Sequence, residues 1–190
     1  VFTTPDMKSA RRFYSDWGLK KLSDGRAGCV FQTTVGSQII VRRTTAKGLP
    51  PAAAPGMHFR EMIWGVASKR DLAAIHKEIA KDREVTVDAD GTIHCIDPCN
   101  IAVGFRVWKQ KSNFKAPRAR INGYDNIERV DQRAPIYDRA SPIRMGHIGF
   151  ILPDIKAAEA FYHGRLGFPI SDRYAGGAAV FMRCAPEEDH

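Results

Sequence analysis

The sequence predicts an α+β fold made of tandem βαβββ units. Two observations predict it: within residues 1–108 an amphipathic helix followed by short strands occurs twice, and the first of these units returns in altered form near residue 150. The composition agrees, because 44% hydrophobic and 26% charged residues are ordinary for globular proteins. With 190 residues, the chain can also bury a sizeable core.

The first unit begins with a strand over residues 1–4 and a Pro5-Asp6 turn into a helix. Asp6 is a candidate N-cap, and Gly18 is expected to end the helix. The helix should bury the apolar residues that recur at helical spacing, namely Met7, Ala10, Phe13, Tyr14 and Trp17. Three short strands separated by glycine-containing turns are predicted next, at 19–23, 28–34 and 38–43.

The second unit follows a proline-rich connector at 44–56 that cannot hold regular structure. A strand is predicted at 59–66, and Ser68 is the N-cap of a helix at 69–81. The residues expected on the buried side of this helix are Leu72, Ile75, His76 and Ile79, so His76 is interpreted as helix packing. The remaining strands are predicted at 84–88, 91–96 and 101–108. Residues 1–108 therefore form an N-terminal pair of units.

Residues 109–142 are rich in charge, proline and asparagine and show little apolar periodicity, so they are predicted to be an interdomain linker. Basic residues cluster there, and the whole chain carries a net charge of +8. No helix-turn-helix, zinc-finger or aromatic nucleic-acid motif accompanies this charge. We therefore expect attraction for anionic molecules and no nucleic-acid partner.

A third unit begins at residue 143, and its residues repeat those of the first. Pro5-Asp6 returns as Pro153-Asp154, an offset of 153 − 5 = 148. The same offset relates Phe2 to Phe150, Ala10 to Ala158, Phe13-Tyr14 to Phe161-Tyr162 and Ser23-Asp24 to Ser171-Asp172. Gly18 and Gly167 differ by 149, so the end of the helix has slipped by one residue. These matches indicate an internal repeat.

The repeat places the first-unit counterpart of His147 before Val1, since 147 − 148 = −1. The third unit likewise reaches residue 190 before its last strand. We therefore expect the natural protein to extend beyond both ends, with an intact mass above 21.2 kDa. His147 itself lies in a predicted apolar strand. From periodicity alone it is either a packed core residue or a metal ligand that faces a cavity.

Two other features limit the class of protein. The four cysteines, at 29, 95, 99 and 184, are scattered and suit reduced thiols better than a disulfide framework. Cys95-x-x-x-Cys99 beside His94 lacks the usual spacing of a structural zinc site. No apolar run approaches the roughly 20 residues of a membrane span, and no signal peptide is visible. We therefore expect a cytoplasmic protein without a membrane partner.

The third unit carries Gly-His-Ile-Gly-Phe at 146–150, Pro-Asp at 153–154, Ala-x-x-Phe-Tyr at 158–162 and Leu-Gly-Phe at 166–168. Together with the tandem units, these motifs resemble the vicinal oxygen chelate superfamily, which includes glyoxalase I, bleomycin-resistance proteins and extradiol dioxygenases. Two units, a linker and a histidine-bearing third unit are most similar to a two-domain extradiol ring-cleavage dioxygenase. The resemblance covers nearly the whole chain and implies paired mixed sheets.

The resemblance also implies that only one of the two halves binds metal. The N-terminal pair of units is expected to be metal-free, and here Gly104, which has no ligating side chain, stands where relatives have a glutamate ligand. The C-terminal domain, of which residues 143–190 are the beginning, is expected to bind Fe(II), with Mn(II) as an alternative, through two histidines and one glutamate. His147 matches the first histidine. His190 is the visible candidate for the second, although the register also allows one residue further on. The glutamate is expected beyond the visible chain.

The function implied is an oxidoreductase that cleaves a catechol-like aromatic diol with O2. No acid–base residue is assigned, since His163 belongs to the surface end of a helix and Ser171 and Tyr174 are weak alternatives. Two other functions stay open: a glyoxalase-like, metal-dependent isomerase, and a non-catalytic binding or resistance protein of the same fold. Apolar surface on incomplete units leads us to expect a homo-oligomer.

Overall fold

The computed structural model of the protein describes residues 1–109 and 136–184. These residues form two four-stranded mixed sheets, each with one helix, followed by a helix and a two-stranded antiparallel pair. The predicted α+β fold with paired mixed sheets is confirmed. The predicted linker falls largely outside the described residues, and the division into domains stays a prediction.

The first unit consists of β1 (Phe2–Thr4), α1 (Met7–Asp16), β2 (Lys20–Asp24), β3 (Gly28–Gln32) and β4 (Gln38–Arg43). The strand order is β1-β4-β3-β2, with β1 parallel to β4 and the other neighbours antiparallel. The predicted N-cap is confirmed, because the Asp6 side chain accepts hydrogen bonds from the backbone N–H groups of Lys8 and Ser9, each at 3.0 Å.

The second unit repeats this topology with β5 (Glu61–Val66), α2 (Lys69–Ile79), β6 (Thr86–Val87), β7 (Ile93–Ile96) and β8 (Ala102–Val107). The order is β5-β8-β7-β6, again with the first and fourth strands parallel. Ser68 caps α2 as predicted, accepting from Asp71 N at 3.2 Å. The two units meet beside β1, where Phe2 and Phe59 form an antiparallel bridge and Thr3 N donates to His58 O at 2.7 Å.

The third unit supplies α3 (Ile155–Glu159), a π-helix (Ala160–Arg165), β9 (Ile170–Arg173) and β10 (Val180–Met182). The prediction of a strand through His147 is wrong for the described residues, because 141–152 form none. In the first two units, the opening strand pairs with the fourth strand of the same unit. Within the described part of the third unit no fourth strand is present to make that ladder.

The π-helix accounts for the one-residue slip in the repeat. The offset rises from 148 at Tyr162 to 149 at Gly167, so the third-unit helix has one additional residue before its terminal glycine. That residue is accommodated by a wider turn, in which Leu166 N donates to Phe161 O five residues earlier, at 3.1 Å. At the corresponding place after α1, Trp17 N donates to Phe13 O four residues earlier, at 2.9 Å.

The buried residues form two clusters. One is confined to the first unit and contains Met7, Cys29, Phe31 and Val41. The other joins the second and third units, and its members include Ile79, Val103, Phe105, Phe161 and Tyr162. The predicted buried stripe of α1 is partly wrong: Phe13 is 60% exposed and Trp17 is 48% exposed. The helices described in residues 1–109 and 136–184 are all too short to cross a membrane.

Candidate functional site

The segment that carries His147 has one face on the core and one face in solvent. Phe150 and Leu152 are partly buried and pack against the cluster shared by the second and third units. Met145, His147 and Ile151 occupy alternate positions and are exposed. Because successive side chains of an extended chain point to opposite sides, this alternation resembles a strand even though no ladder is formed. His147 is therefore not a packed core residue.

Hydrogen bonds hold the two ends of this segment. At one end, Thr34 N donates to Pro142 O at 3.1 Å and Val35 N donates to Ile143 O at 2.9 Å. At the other end, the Cys99 thiol lies 3.3 Å from Asp154 O. Asp154 also caps α3, since its side chain accepts from Ala157 N at 2.9 Å. His147 thus lies between two points that are fixed to the first and second units.

The helix that follows is fixed to the second unit by a buried polar contact. The Tyr162 hydroxyl donates to Asp97 Oδ2 at 2.8 Å, and Asp97 Oδ1 accepts from Cys99 N and Ile101 N, each at 2.8 Å. Burial, with a further contribution from the Asp97 charge, raises the pKa of Tyr162 well above its ordinary value. Both partners are therefore satisfied, as a buried pair requires.

The described residues alone do not complete an iron site. The two-histidine, one-carboxylate site that the resemblance implies needs three side chains around one ion. No group of three His, Cys, Asp or Glu side chains lies close enough to hold a metal ion within residues 1–109 and 136–184. His190 lies outside the described residues. His147 and His190 stay predicted ligands, and no chemical step through iron is derived from these residues.

The second unit holds a buried carboxylate–imidazole pair that the sequence analysis missed. Glu61 is only 4% exposed, and its Oε1 lies 2.6 Å from His94 Nδ1. His94 Nε2 lies 3.2 Å from Asp88 Oδ2, close enough for an ion pair although the angle is not that of a hydrogen bond. The imidazole therefore lies between two carboxylates, one buried and one exposed, and its Nδ1 is the hydrogen-bond partner of the buried Glu61.

Glu61 occupies the position in its unit that His147 occupies in the third. Glu61 precedes its helix N-cap by 68 − 61 = 7 residues, and His147 precedes its own by 154 − 147 = 7. Counting back from the caps could therefore have found Glu61 from the sequence. Its partner His94 could not be found in this way, because it comes from β7, two strands away in the sheet.

Gly104 makes room for this pair. It lies in β8 directly between β5 and β7, opposite Ile63 on one side and His94 on the other. A Cβ atom at this position would lie 3.2 Å from Glu61 Oε1, His94 Nδ1 and Ile63 Cγ1. An alanine Cβ would require these neighbours to shift by a few tenths of an ångström, and a longer side chain would displace them further. Glycine here is thus explained by packing, and the metal-free character of this half stays a prediction.

The other residues considered for chemistry have structural partners. His163 is exposed, as predicted, and its Nδ1 lies 2.7 Å from Phe168 O at the end of the π-helix. The Ser171 hydroxyl donates to Phe181 O at 3.3 Å. Burial raises the pKa of the Cys95 thiol to about 11, which disfavours the thiolate that binds metals. No acid–base residue is identified among these groups.

Comparisons with known proteins give the fold. No protein-family model matches the chain, and no curated protein matches it. Among solved structures, it is similar to the halotolerant catechol dioxygenase BphC, with 18% identity, a TM-score of 0.62, and coverage of 96% of this chain and 59% of that one. It is also similar to the 2,3-dioxygenase LapB from Pseudomonas sp. KL28, with 17% identity, a TM-score of 0.63, and coverage of 96% of this chain and 63% of that one.

A third similar structure is the Mn(II)-bound glyoxalase from Novosphingobium aromaticivorans, with 16% identity, a TM-score of 0.60, and coverage of 96% of this chain and 56% of that one. The chain thus spans about three fifths of the length of these three proteins. The TM-scores of 0.60 to 0.63 establish the architecture, whereas the identities below one fifth leave the reaction open. The chain therefore has the vicinal oxygen chelate fold, which it shares with these dioxygenases and this glyoxalase.

Proposed function

We propose that the protein is an extradiol-type dioxygenase that cleaves a catechol-like aromatic diol with O2 at a non-haem Fe(II), and that His147 is one ligand of that ion. The observation that carries the proposal is the exposed position of His147, seven residues before the cap of the third-unit helix, on a segment whose other face is packed on the core. The similarity to catechol dioxygenases over 96% of the chain supports it.

The chain's own contribution is to present an imidazole on a fixed support. Phe150 and Leu152 pack inward, so the His147 ring is directed to the other side of the segment. A neutral imidazole in this position has a nitrogen lone pair to offer to a divalent ion. Bound Fe(II) would supply coordination places for both catechol oxygens and for O2. The second histidine, with His190 as candidate, and the carboxylate complete the proposed ligand set.

The proposal extends to partners and surroundings. The substrates are a small aromatic diol and O2, and nucleic acid and membranes are not partners. The protein is proposed to be cytoplasmic and homo-oligomeric, and the exposed apolar side chains of the third unit, Met145, Ile151 and Tyr174, support self-association.

A second candidate function is a metal-dependent, glyoxalase-like isomerisation, with Mn(II) as the alternative metal. The observation that favours it is the match to the Mn(II)-bound glyoxalase, whose TM-score of 0.60 is close to the 0.62 of the catechol dioxygenase. A non-catalytic binding protein of this fold is the third candidate, supported by the single proposed ligand within the described residues.

The test uses full-length protein loaded anaerobically with Fe(II) and catechol. Exposure to air is expected to give oxygen uptake and a yellow ring-cleavage product. His147→Ala is expected to abolish both metal binding and oxygen uptake. His163→Ala is the matched control, because His163 is another exposed histidine of the same unit that bonds a backbone carbonyl, and it should retain both.

The other outcomes separate the candidates. Stoichiometric metal without oxygen uptake would favour the glyoxalase-like function. Substoichiometric Fe(II) and Mn(II) in the full-length protein would favour the binding protein. Retention of iron by His147→Ala would show that the assignment of His147 is wrong.

A further inference from the structure

In the described part of the chain, side-chain contacts hold the segment around His147. In the first two units, the opening strand is held along its length by a parallel ladder, β1 to β4 and β5 to β8. Residues 144–152 pair with no strand in the described part of the chain. Ladder hydrogen bonds fix both the register and the rotation of a strand. Side-chain contacts of residues 144–152 with the second unit can serve the same purpose.

Phe59 is the residue placed to do this. Its ring centroid lies 5.3 Å from that of Phe150, at an interplanar angle of 64°, and 5.5 Å from that of Phe2, at 75°. Both arrangements are edge-to-face, the geometry that aromatic pairs prefer. Phe2 and Phe150 are equivalent in the repeat, since 150 − 2 = 148. One ring of the second unit therefore contacts the same position of the first and the third.

The backbone around Phe59 is itself fixed. Phe59 forms a β-bridge with Phe2, and its neighbours are held on both sides, by Thr3 N donating to His58 O at 2.7 Å and Arg60 N donating to Val1 O at 2.9 Å. Phe59 is thus a rigid support at the junction of the three units. Phe150, which docks on it, lies three positions from His147 and on the opposite face of the segment.

We propose that Phe59 is a positioning residue for His147: its ring fixes Phe150, and Phe150 sets the rotation and depth of the segment that presents the imidazole. The inference rests on the proposed function for its consequence, which is metal affinity. Its structural part, the ordering of residues 145–151 by Phe59, does not depend on any metal. Support from outside the ligand shell commonly changes metal affinity by about 10- to 100-fold.

The test compares Phe59→Leu with Phe168→Leu in the full-length protein. Phe168 makes a similar edge-to-face contact between the third and second units, 5.2 Å from Trp64 at 88°, but belongs to the chain after the π-helix. Mn(II) affinity, measured by electron paramagnetic resonance, should weaken about tenfold or more in Phe59→Leu and stay unchanged in Phe168→Leu. Phe59→Tyr, which keeps the ring, should restore most of the affinity.

Hydrogen–deuterium exchange of the metal-free protein is the second measurement. Exchange at residues 145–151 should be faster in Phe59→Leu than in the wild type, and unchanged there in Phe168→Leu. If residues 145–151 of Phe59→Leu exchange at the wild-type rate, the inference is wrong, whatever the Mn(II) affinity of that variant. Unchanged Mn(II) affinity in Phe59→Leu, with loss in His147→Ala, would overturn it while leaving the proposed function intact. Equal Mn(II) binding by wild type and His147→Ala would instead refute the proposed function, and the exchange result would still decide the role of Phe59.

Discussion

The same dipeptide, Phe-Tyr, stands at equivalent positions of the first and third units and meets opposite surroundings. Phe13 on α1 is 60% exposed, whereas Phe161 on the π-helix is 2% exposed. Tyr14 is partly buried, while Tyr162 is buried and bonded to Asp97. The comparison shows that the helix periodicity common to both copies does not decide which aromatic residues are buried.

The difference comes from what each helix packs against. α1 contacts β3 and β4 of its own unit, and Met7, Ala10 and Tyr14 cover that sheet, leaving Phe13 at the edge. The third-unit helix packs on the second unit and shares a core with Ile79 and Val103. Arg83 covers the Phe161 ring, with its guanidinium carbon 4.8 Å from the ring centroid. An intervening unit thus turns a surface residue into a core residue.

The largest expected effect is that of Phe161→Ala compared with Phe13→Ala. Removing a fully buried phenylalanine leaves a cavity, so we expect the free energy of unfolding to fall by about 3–5 kcal/mol. Phe13→Ala, at an exposed site, should change it by about 0.5 kcal/mol or less. Urea denaturation of both variants measures the difference. Equal losses would mean that a partner covers Phe13 in solution and that the contrast between the two helices does not hold.

A smaller contrast is expected from Tyr162→Phe and Tyr14→Phe. The first change removes a buried hydrogen bond to the Asp97 carboxylate, which is expected to reduce the free energy of unfolding by about 1.5–3 kcal/mol. In the described part of the chain the Tyr14 hydroxyl has no hydrogen-bond partner, so Tyr14→Phe should be nearly neutral. Thermal or urea unfolding at neutral pH compares them. An unchanged free energy of unfolding in Tyr162→Phe would indicate that water replaces the hydrogen bond at no cost.

Raising the pH tests the contact between Tyr162 and Asp97 in the unsubstituted protein. The pKa of Tyr162 is raised by burial and then by Asp97, so the folded protein keeps a proton that the unfolded chain loses above its ordinary pKa of about 10. Ionisation of Tyr162 should therefore leave the free energy of unfolding unchanged below that pH. Above it, the free energy of unfolding should fall by up to about 1.4 kcal/mol per pH unit. Tyr162→Phe should show a shallower decline between about pH 10 and 11. Parallel declines in wild type and variant would count against a buried, protonated Tyr162.

The smallest effect is expected at the ends of the two helices. In the π-helix, Arg165 Nη1 lies 2.8 Å from Asp82 Oδ2, and its Nη2 donates to Glu78 O at 2.6 Å. At the end of α1 lies Trp17, which is 48% exposed. Arg165→Met should destabilise the protein less than Tyr162→Phe, and about 1 M salt should reduce the ion-pair part of the difference. The loss of stability in Trp17→Met should not depend on salt. If the loss in Arg165→Met is also independent of salt, Arg165 contributes through packing alone.

Much of the fold was predictable from the sequence, because its signals are local. Asp6 and Ser68 cap helices as predicted, and Asp154, the counterpart of Asp6 in the repeat, caps the third helix. A side-chain oxygen two or three residues before an orphan N–H is a local arrangement. The slip between Gly18 and Gly167 is likewise local, and it takes the form of a π-helix. The predicted strand through His147 is not formed among the described residues, because a strand requires a neighbouring strand to complete its ladder.

The candidate site divides along the same line. The position of His147 relative to its helix cap, and the equivalent position of Glu61, follow from counting residues. The pairing of Glu61 with His94, the packing of both against Gly104, and the edge-to-face contact of Phe150 with Phe59 join residues far apart in the chain.

By itself, the sequence determined the α+β units, their caps and the repeat, because hydrogen bonding and apolar periodicity within a few residues specify them. Only the tertiary structure decided which copy of the Phe-Tyr pair is buried and which face of the His147 segment meets solvent. Burial depends on the surface that a neighbouring unit provides, and no single unit carries that information in its own residues.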